Sequence, residues 1–288
     1  MPRPTVAFAG TGAIGRPMAS RLAAAGHPVV AVDPHPAARE WAAGAGLTAA
    51  AALSAAPRAG TVVVMVATPE QLAGLVDDAL AAGVSGQRWI VMSTVGPESV
   101  REQGGRLAAA GAAVLDVPVT GGVARARTGE LTLFAAGPAD EIAAARPVLD
   151  HLGTVREVGG AIGAGQAIKV VNQHLCAVHI VAAAEALSLA GELGLDRREV
   201  LELVEQGAAG SWMLSDRGPR MLQGTDTEVT SAIGIFVKDS ELVAEAARGA
   251  GARTPLLDAA RDRYARAAEL GLAQRDDSRV IETYGSPE

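Results

Sequence analysis

The segment GAGQAIKVVNQHL, residues 163–175, places one lysine and two side-chain amides in an otherwise apolar helical pattern. Lys169, Asn172 and Gln173 share one helical face, because residues three and four positions apart are neighbours on a helix. A buried amine costs free energy, and burial is expected to lower its pKa. Such an amine can exchange a proton with a reacting oxygen that the amides help to hold. The alternative is a lysine that extends to solvent.

Lysine is rare in this chain. Lysine and arginine together number 25, yet only Lys169 and Lys238 are lysine. Arginine serves wherever positive charge alone is needed, whereas a compact amine that can titrate requires lysine. Both lysines are therefore candidate functional residues, and chance survival in an arginine-rich composition is the alternative.

A glycine-rich loop follows the first apolar run of the chain. Gly10, Gly12 and Gly15 have the spacing in which the first glycine makes a tight turn, the second admits a pyrophosphate and the third allows close helix–strand packing. The N-terminus of the next helix offers N–H groups to phosphate. The loop predicted to bind a dinucleotide comprises Gly10, Thr11, Gly12, Ala13, Ile14 and Gly15.

The second apolar run, VVAVD, ends in an acidic residue. Asp33 follows Gly10 by 23 residues, where a carboxylate can bond both ribose hydroxyls of NAD. The same carboxylate would repel the 2′-phosphate of NADP. The sequence therefore predicts NAD as the cofactor, with NADP disfavoured. The alternative is that Asp33 merely caps the following turn.

Short aliphatic runs alternate with helical patterns over residues 1–160, which predicts a doubly wound, mostly parallel sheet. Runs without a polar alternation fit a sheet that is covered on both faces. The predicted strands are 5–10, 28–33, 61–67, 88–94, 112–118, 131–137 and 154–159, and the predicted helices are 13–25, 69–82, 97–110 and 139–152.

The pattern becomes entirely helical after Gly165. Residues 166–193 read as one helix of about seven turns, too apolar for a surface and expected to be buried between domains or subunits. Further helices are predicted over 196–206, 231–250 and 255–270, with Asp196 as an N-cap. The predicted organisation is an α/β domain over residues 1–162 and an all-α domain over 163–288.

Composition narrows the class of protein. Hydrophobic residues make up 49% and charged residues 20%, as in soluble globular proteins. No apolar run of about 20 residues, which a membrane span requires, and no signal-peptide pattern is evident. A single cysteine, Cys176, fits a reducing cytoplasm. A net charge of −7 without a basic run argues against nucleic acid. His174 and His179 lack a third ligand at a suitable spacing, so no metal is predicted.

Several blocks resemble the β-hydroxyacid dehydrogenase family, whose members include 3-hydroxyisobutyrate dehydrogenase and tartronate semialdehyde reductase. GTGAIGRPMASRL looks like its cofactor fingerprint, DVPVTGGVARARTGELTLFAAG like its substrate loop and GAGQAIKVVNQHL like its catalytic helix. SWML, FVKD and DDSRVI match later signatures in the same order. The resemblance implies an N-terminal Rossmann domain and an all-α C-terminal domain.

The resemblance also implies roles for individual residues. Lys169 would be the general acid and base, with Asn172 and Gln173 beside it. The family's usual Ser-Gly-Gly is Thr120, Gly121 and Gly122 here, and backbone N–H groups in such a turn can bind a substrate carboxylate. The second of the family's two adjacent asparagines is Gln173 here, one methylene longer. Further cofactor contacts would come from Val66, Ala67, Gln71, Thr94 and Lys238.

The predicted function is hydride transfer between a nicotinamide cofactor and a small β-hydroxy acid or its semialdehyde or keto form. The predicted assembly is a homodimer or homotetramer, because an apolar helix of this length buries poorly in one small domain. Two alternatives are an imine reductase of the same architecture, which commonly carries Asp or Tyr in place of the lysine, and a cofactor-binding module without catalysis.

Overall fold

The computed structural model describes residues 3–285. The chain forms two compact units, the first ending at Lys169 and the second beginning at Val170. The division falls inside one long helix, Ala164–Glu192, instead of before it. The domain boundary after residue 162 stays a prediction.

The first unit contains one nine-stranded sheet. Its strands are β1 (Val6–Ala9), β2 (Val29–Val32), β3 (Thr48–Ala50), β4 (Thr61–Val64), β5 (Arg88–Val91), β6 (Ala113–Asp116), β7 (Val119–Thr120), β8 (Leu131–Ala136) and β9 (Gly153–Gly159). The order is β3-β2-β1-β4-β5-β6-β8-β7, with β9 beside β8. Strands β1 to β6 pair in parallel, and the chain crosses from β3 to β4 over β1. This order places a switch point beside β1, as in doubly wound nucleotide-binding sheets.

Helices cover both faces of the sheet. Along β1, Val6 and Phe8 belong to one apolar cluster and Ala7 and Ala9 to another, because successive strand residues point to opposite faces. Burial of both faces of the sheet explains why the strands are continuous apolar runs in the sequence. The helices of this unit are α1 (Gly15–Ala24), α2 (Pro36–Gly44), α3 (Pro69–Ala82), α4 (Pro97–Ala109), α5 (Gly122–Thr128) and α6 (Ala139–Leu149).

All seven predicted strands and all four predicted helices of this half are present, with shifts of a few residues at their ends. The sequence did not predict β3, β7, α2 or α5. Strands β3 and β7 have three and two residues, too few to show a pattern. Strand β8 runs antiparallel to β6 and β7, so the sheet is mostly but not wholly parallel.

The long helix α7 (Ala164–Glu192) leads into the second unit, which is helical. The other helices are α8 (Arg197–Val204), α9 (Trp212–Met221), α10 (Ile233–Gly249) and α11 (Pro255–Glu269), followed by a 3₁₀-helix over Asp277–Tyr284. Asp196 caps α8 as predicted, its carboxylate accepting from the backbone N–H groups of Arg198 and Glu199. Helix α9, which contains Pro219, was not predicted.

The core of the second unit centres on aliphatic side chains of α7 and one aromatic pair. Phe236 stacks on Tyr264 with ring centroids 5.3 Å apart. The buried Tyr264 hydroxyl donates to the Ala177 carbonyl oxygen at 3.1 Å. Burial raises the pKa of Tyr264 well above its ordinary value. Phe236 is therefore a core residue of the second unit.

Helix α7 is long and apolar, and its two faces differ in burial. By length and composition alone it is long and apolar enough to cross a membrane, although no such run was evident in the sequence. The core helix of a soluble protein meets the same criteria, and Ala177, Ile180 and Ala184 of α7 are buried in the helical core. In the single chain its opposite face is exposed, with Val171 59% and Leu189 57% exposed, and burial of that face between subunits stays a prediction.

Candidate active site

The glycine loop between β1 and α1 has the geometry of a phosphate cradle. A Cβ at Gly10, whose φ is +93°, would lie 2.2 Å from the Met65 carbonyl oxygen, and one at Gly15 would lie 2.0 Å from the Gly10 oxygen. These two positions therefore require glycine for close packing. A Cβ at Gly12 would meet nothing within 4 Å. Gly12 thus leaves open space at the start of α1, and the loop fits the pyrophosphate of a dinucleotide.

Asp33 follows β2 and is 6% exposed. Its Oδ2 accepts from the backbone N–H of Thr11 at 2.8 Å and from the Thr11 hydroxyl at 3.2 Å. Its Oδ1 accepts from the His35 N–H at 3.0 Å. Asp33 thus caps the turn after β2 and also fixes the glycine loop. Arg39 adds a positive charge nearby, with Nη1 donating to the carbonyl oxygens of Asp33 and Pro34.

The ends of β4 and β5 carry the other predicted cofactor contacts of the first unit. The Val66 N–H donates to Ser93 Oγ at 2.7 Å, and the Ala67 N–H donates to Gln71 Oε1 at 2.8 Å. Thr94 follows Ser93 and is half-buried. Because β1, β4 and β5 are parallel neighbours, their carboxyl ends meet at one edge of the sheet. The predicted cofactor residues of this unit therefore gather at that edge.

Thr120, Gly121 and Gly122 turn the chain from β7 into α5. Gly121 and Gly122 have φ values of +132° and +67°, which favour glycine. A Cβ at Gly121 would lie 2.9 Å from Cβ of Arg125, whereas Gly122 faces open space. Consecutive glycines of this kind expose backbone N–H groups, which fits the predicted binding of a carboxylate.

Lys169 lies on the buried stripe of α7 and does not extend to solvent. It is 7% exposed, Gln173 is 8% exposed and Ala177 is 1% exposed. Asn172 is half-buried, and its Nδ2 donates to Gln173 Oε1 at 2.9 Å and to Cys176 Sγ at 3.3 Å. The lysine and both amides thus occupy one region of the helix, as their spacing predicted.

A surface charge pair with Asp239 is the alternative to a cofactor contact by Lys238, and Asp239 is not among the predicted site residues. Its Oδ2 accepts from Gln173 Nε2 at 2.5 Å, and its Oδ1 lies 2.7 Å from Lys238 Nζ. The ion pair between Lys238 and Asp239 was the alternative to a cofactor contact, but it is not a surface pair, because Asp239 is 4% exposed. One buried carboxylate therefore joins two of the predicted site residues.

A second buried carboxylate holds the start of α7. Asp116 Oδ2 accepts from the backbone N–H groups of Gly163 and Gln166 at 2.9 and 3.0 Å. Gln166 Nε2 donates to Asp116 Oδ1 at 3.1 Å and to the Ser93 carbonyl oxygen at 2.9 Å. Burial raises the pKa of Asp116, and these hydrogen bonds act against that rise. The segments DVP and GAGQ contain these residues, but their pairing across 50 positions has no local signal.

Within residues 3–285, no three His, Cys, Asp or Glu side chains form a group that could hold a metal ion.

Comparisons with known proteins identify the family to which the chain belongs. Residues 5–171 match the family model for the NAD-binding domain of 6-phosphogluconate dehydrogenase. Residues 163–284 match the model described as the NAD-binding of NADP-dependent 3-hydroxyisobutyrate dehydrogenase. An L-threonate dehydrogenase from Cupriavidus necator is 36% identical over 280 residues, covering 96% of this chain and 94% of that protein. The chain belongs to the β-hydroxyacid dehydrogenase family.

Other members of the β-hydroxyacid dehydrogenase family extend this comparison. An NAD-dependent L-serine dehydrogenase from Pseudomonas aeruginosa is 32% identical over 285 residues and 96% of each chain. The crystal structure of a 3-hydroxyisobutyrate dehydrogenase from Salmonella typhimurium superposes with a TM-score of 0.88 at 32% identity, covering 97% of this chain and 99% of that one. An imine reductase from a Pseudomonas species has a TM-score of 0.65 at 18% identity, which shows a shared fold alone.

Proposed function

We propose that this chain transfers a hydride between NAD and a small β-hydroxy acid, or the corresponding semialdehyde or keto acid, with Lys169 as the general acid and base. The observation that carries the proposal is the burial of Lys169, which is 7% exposed on the polar stripe of α7 in a chain that also has a dinucleotide cradle. A buried amine can exchange a proton near working pH, which an ordinary surface lysine does not.

The chain's own residues supply the proton chemistry. A bound nicotinamide would supply the hydride acceptor for the carbon that carries the substrate hydroxyl. The neutral amine of Lys169 takes the proton of that hydroxyl as the carbonyl forms, and the lysine becomes an ammonium group. In the reductive direction the ammonium returns the proton to the new alkoxide oxygen. The turn at Thr120, Gly121 and Gly122 would hold the substrate carboxylate.

A substrate panel tests this function. L-Threonate, 3-hydroxyisobutyrate and L-serine, the acids in the names of related dehydrogenases, are each supplied with NAD and with NADP, and cofactor reduction is followed. A cyclic imine supplied with NADPH tests the imine reductase alternative. Reduction of NAD by at least one acid is expected. Imine reduction alone, or cofactor binding without turnover of any substrate, would contradict the proposal.

NAD is expected to be preferred over NADP. The Asp33 carboxylate, 6% exposed, would repel a 2′-phosphate and bond the ribose hydroxyls. Asp33→Ala should relax the preference, and Asp33→Asn with an added arginine should move it toward NADP. The measurement is kcat/KM for NADH and NADPH in the wild type and each variant.

Arg39 provides the control for this prediction, because it is the nearby charge that could attract a 2′-phosphate. Its Nη1 is 2.9 Å from the Asp33 carbonyl oxygen. Arg39→Gln should leave the preference for NAD in place. A wild type that uses NADPH more efficiently than NADH, with that advantage lost in Arg39→Gln, would assign specificity to Arg39 and reject the role of Asp33.

The enzyme is expected to be a dimer or a tetramer. The exposed face of α7 carries aliphatic side chains, including Val171 at 59% and Leu175 at 48% exposure, and contiguous apolar surface of this kind marks an interface. The double variant Val171→Asp, Leu175→Asp should dissociate at micromolar concentration in sedimentation experiments. Leu203→Asp on α8, where Leu203 is 71% exposed, is the matched control. A monomeric wild type would contradict the prediction.

Lys238 is expected to contribute to cofactor affinity. Its amine is 2.7 Å from Asp239 Oδ1, and its side chain is 26% exposed, so part of the side chain is accessible to solvent. Lys238→Ala should raise the Kd for the cofactor more than it lowers kcat, whereas Lys238→Arg should retain much of the affinity. Unchanged cofactor binding in Lys238→Ala would mean that the lysine serves only its pair with Asp239.

A further inference from the structure

One buried amide, that of Gln166, bonds directly to two stretches of the first unit that lie near predicted site residues, namely 93–96 and Asp116. Its Oε1 accepts from the backbone N–H groups of Val95 and Gly96, both at 3.1 Å. Its Nε2 donates to the Ser93 carbonyl oxygen and to Asp116 Oδ1. Gln166 is 0% exposed. The amide oxygen of Gln166 therefore accepts two hydrogen bonds from the protein, and the amide nitrogen donates two to the protein.

The partners of Gln166 lead to the other site segments. Ser93 Oγ accepts from the Val66 N–H at the end of β4, and Ser93 precedes Thr94. Asp116 ends β6, four residues before Thr120. The same Asp116 carboxylate accepts the N–H groups of Gly163 and Gln166 at the first turn of α7. Lys169 stands three residues further, on the same face of that helix.

Gly165 allows this close approach. A Cβ there would lie 2.6 Å from the Phe134 oxygen and 2.8 Å from the Asp116 oxygen. The first turn of α7 thus packs directly against the backbone of β6 and β8, and its position is fixed by backbone contact as well as by hydrogen bonds. The close packing at Gly165 and the hydrogen bonds of Gly163 and Gln166 explain why the segment GAGQ precedes Lys169.

We propose that Gln166 is a positioning residue that fixes Lys169 relative to the strand-end loops predicted to hold the nicotinamide and the substrate. This inference rests on the proposed function. Its physical basis is that proton and hydride transfer require the amine at a set distance from the reacting oxygen, and a misplacement of about 1 Å can cost about 100-fold in rate. Ser93 and Asp116 act through Gln166 and complete the network.

The test compares Gln166→Met, which retains the volume and loses all four hydrogen bonds, with Gln103→Met as a matched control. Gln103 is also buried in the first unit, at 5% exposure, and its side-chain amide oxygen accepts from Arg106, three residues away.

We expect kcat of Gln166→Met to fall about 10- to 100-fold, with KM for cofactor and acid changed much less. Gln103→Met should retain kcat within about twofold. Loss of activity in the control as well as in Gln166→Met would reduce the effect to general destabilisation and overturn the proposal.

A second readout does not depend on activity. The chain has only two lysines, so lysine side chains labelled at Cε give two NMR signals, which Lys238→Arg assigns. In Gln166→Met the pH titration of the Lys169 signal should differ from that of the wild type, because a loosened first turn changes the surroundings of the amine. Gln166→Glu keeps the acceptor for Val95 and Gly96 and loses the donor, so it serves if Gln166→Met does not fold. Unchanged kcat and unchanged Lys169 titration in a folded variant would overturn the proposal, whereas an inactive wild type would count against the function alone.

Discussion

Lys169→Arg is expected to lower kcat by about 10²–10⁴-fold, the usual cost of losing a general acid–base. Arginine keeps the positive charge but does not deprotonate near working pH, so it cannot take the hydroxyl proton. The guanidinium group is also larger than the amine, and Lys169 is only 7% exposed, so arginine should fit the buried position poorly. The measurement is steady-state kcat with the best acid of the panel, together with cofactor affinity by fluorescence titration.

Lys169→Met is the matched variant, because methionine is apolar and similar in length. Both variants should retain cofactor binding and melting temperature, and both should lose turnover to a similar extent. Near-normal turnover by Lys169→Arg with loss in Lys169→Met would mean that α7 carries the lysine for its charge. The proton would then be transferred by another group.

Gly12→Val is expected to weaken cofactor binding at least tenfold with little change in stability. A Cβ at Gly12 meets no atom within 4 Å, so the fold has room for the start of a side chain, which we expect to occupy the space for the pyrophosphate. We expect the Kd for NAD to rise at least tenfold, a loss of about 1.4 kcal/mol or more. Isothermal titration and thermal unfolding are measured on the same sample.

Gly15→Ala tests the opposite property of the same loop. Its Cβ would lie 2.0 Å from the Gly10 carbonyl oxygen, so α1 must shift, and forcing extra atoms into a packed region costs about 1–3 kcal/mol. Gly15→Ala should therefore lower the melting temperature, which Gly12→Val should not. Equal destabilisation by the two variants, or tight NAD binding by Gly12→Val, would reject the assignment of the cradle.

Much of the sheet could be predicted from sequence because its strands are apolar on both faces. Val6 to Ala9 alternate between two cores, which leaves a continuous hydrophobic run with glycines directly after it. The glycine loop was also predictable, since close backbone approach at Gly10 and Gly15 excludes every other residue. Short elements such as β7 and α5 were not predicted, because two to seven residues are too few to show the full hydrophobic repeat of a strand or a helix.

The networks that join the site could not be predicted, because their partners are distant in sequence. Gln173 meets Asp239 across 66 positions, and Gln166 meets Asp116 across 50. Each residue alone has the appearance of an ordinary polar residue in a helix or at a strand end. The segment around Lys169 did indicate a polar face, but only the fold shows which carboxylate holds each amide.

The role of Lys169 is tested most directly by the pH dependence of kcat in both directions. Oxidation needs the neutral amine, so its kcat should be high above the pKa of Lys169 and should fall as pH drops through it. Reduction needs the ammonium form, so its kcat should be high below that pKa and should fall as pH rises. We predict one such ionisation below the ordinary range of lysine, in opposite senses for the two directions, and absent from the residual activity of Lys169→Met. The same ionisation persisting in Lys169→Met would contradict the role assigned to this lysine.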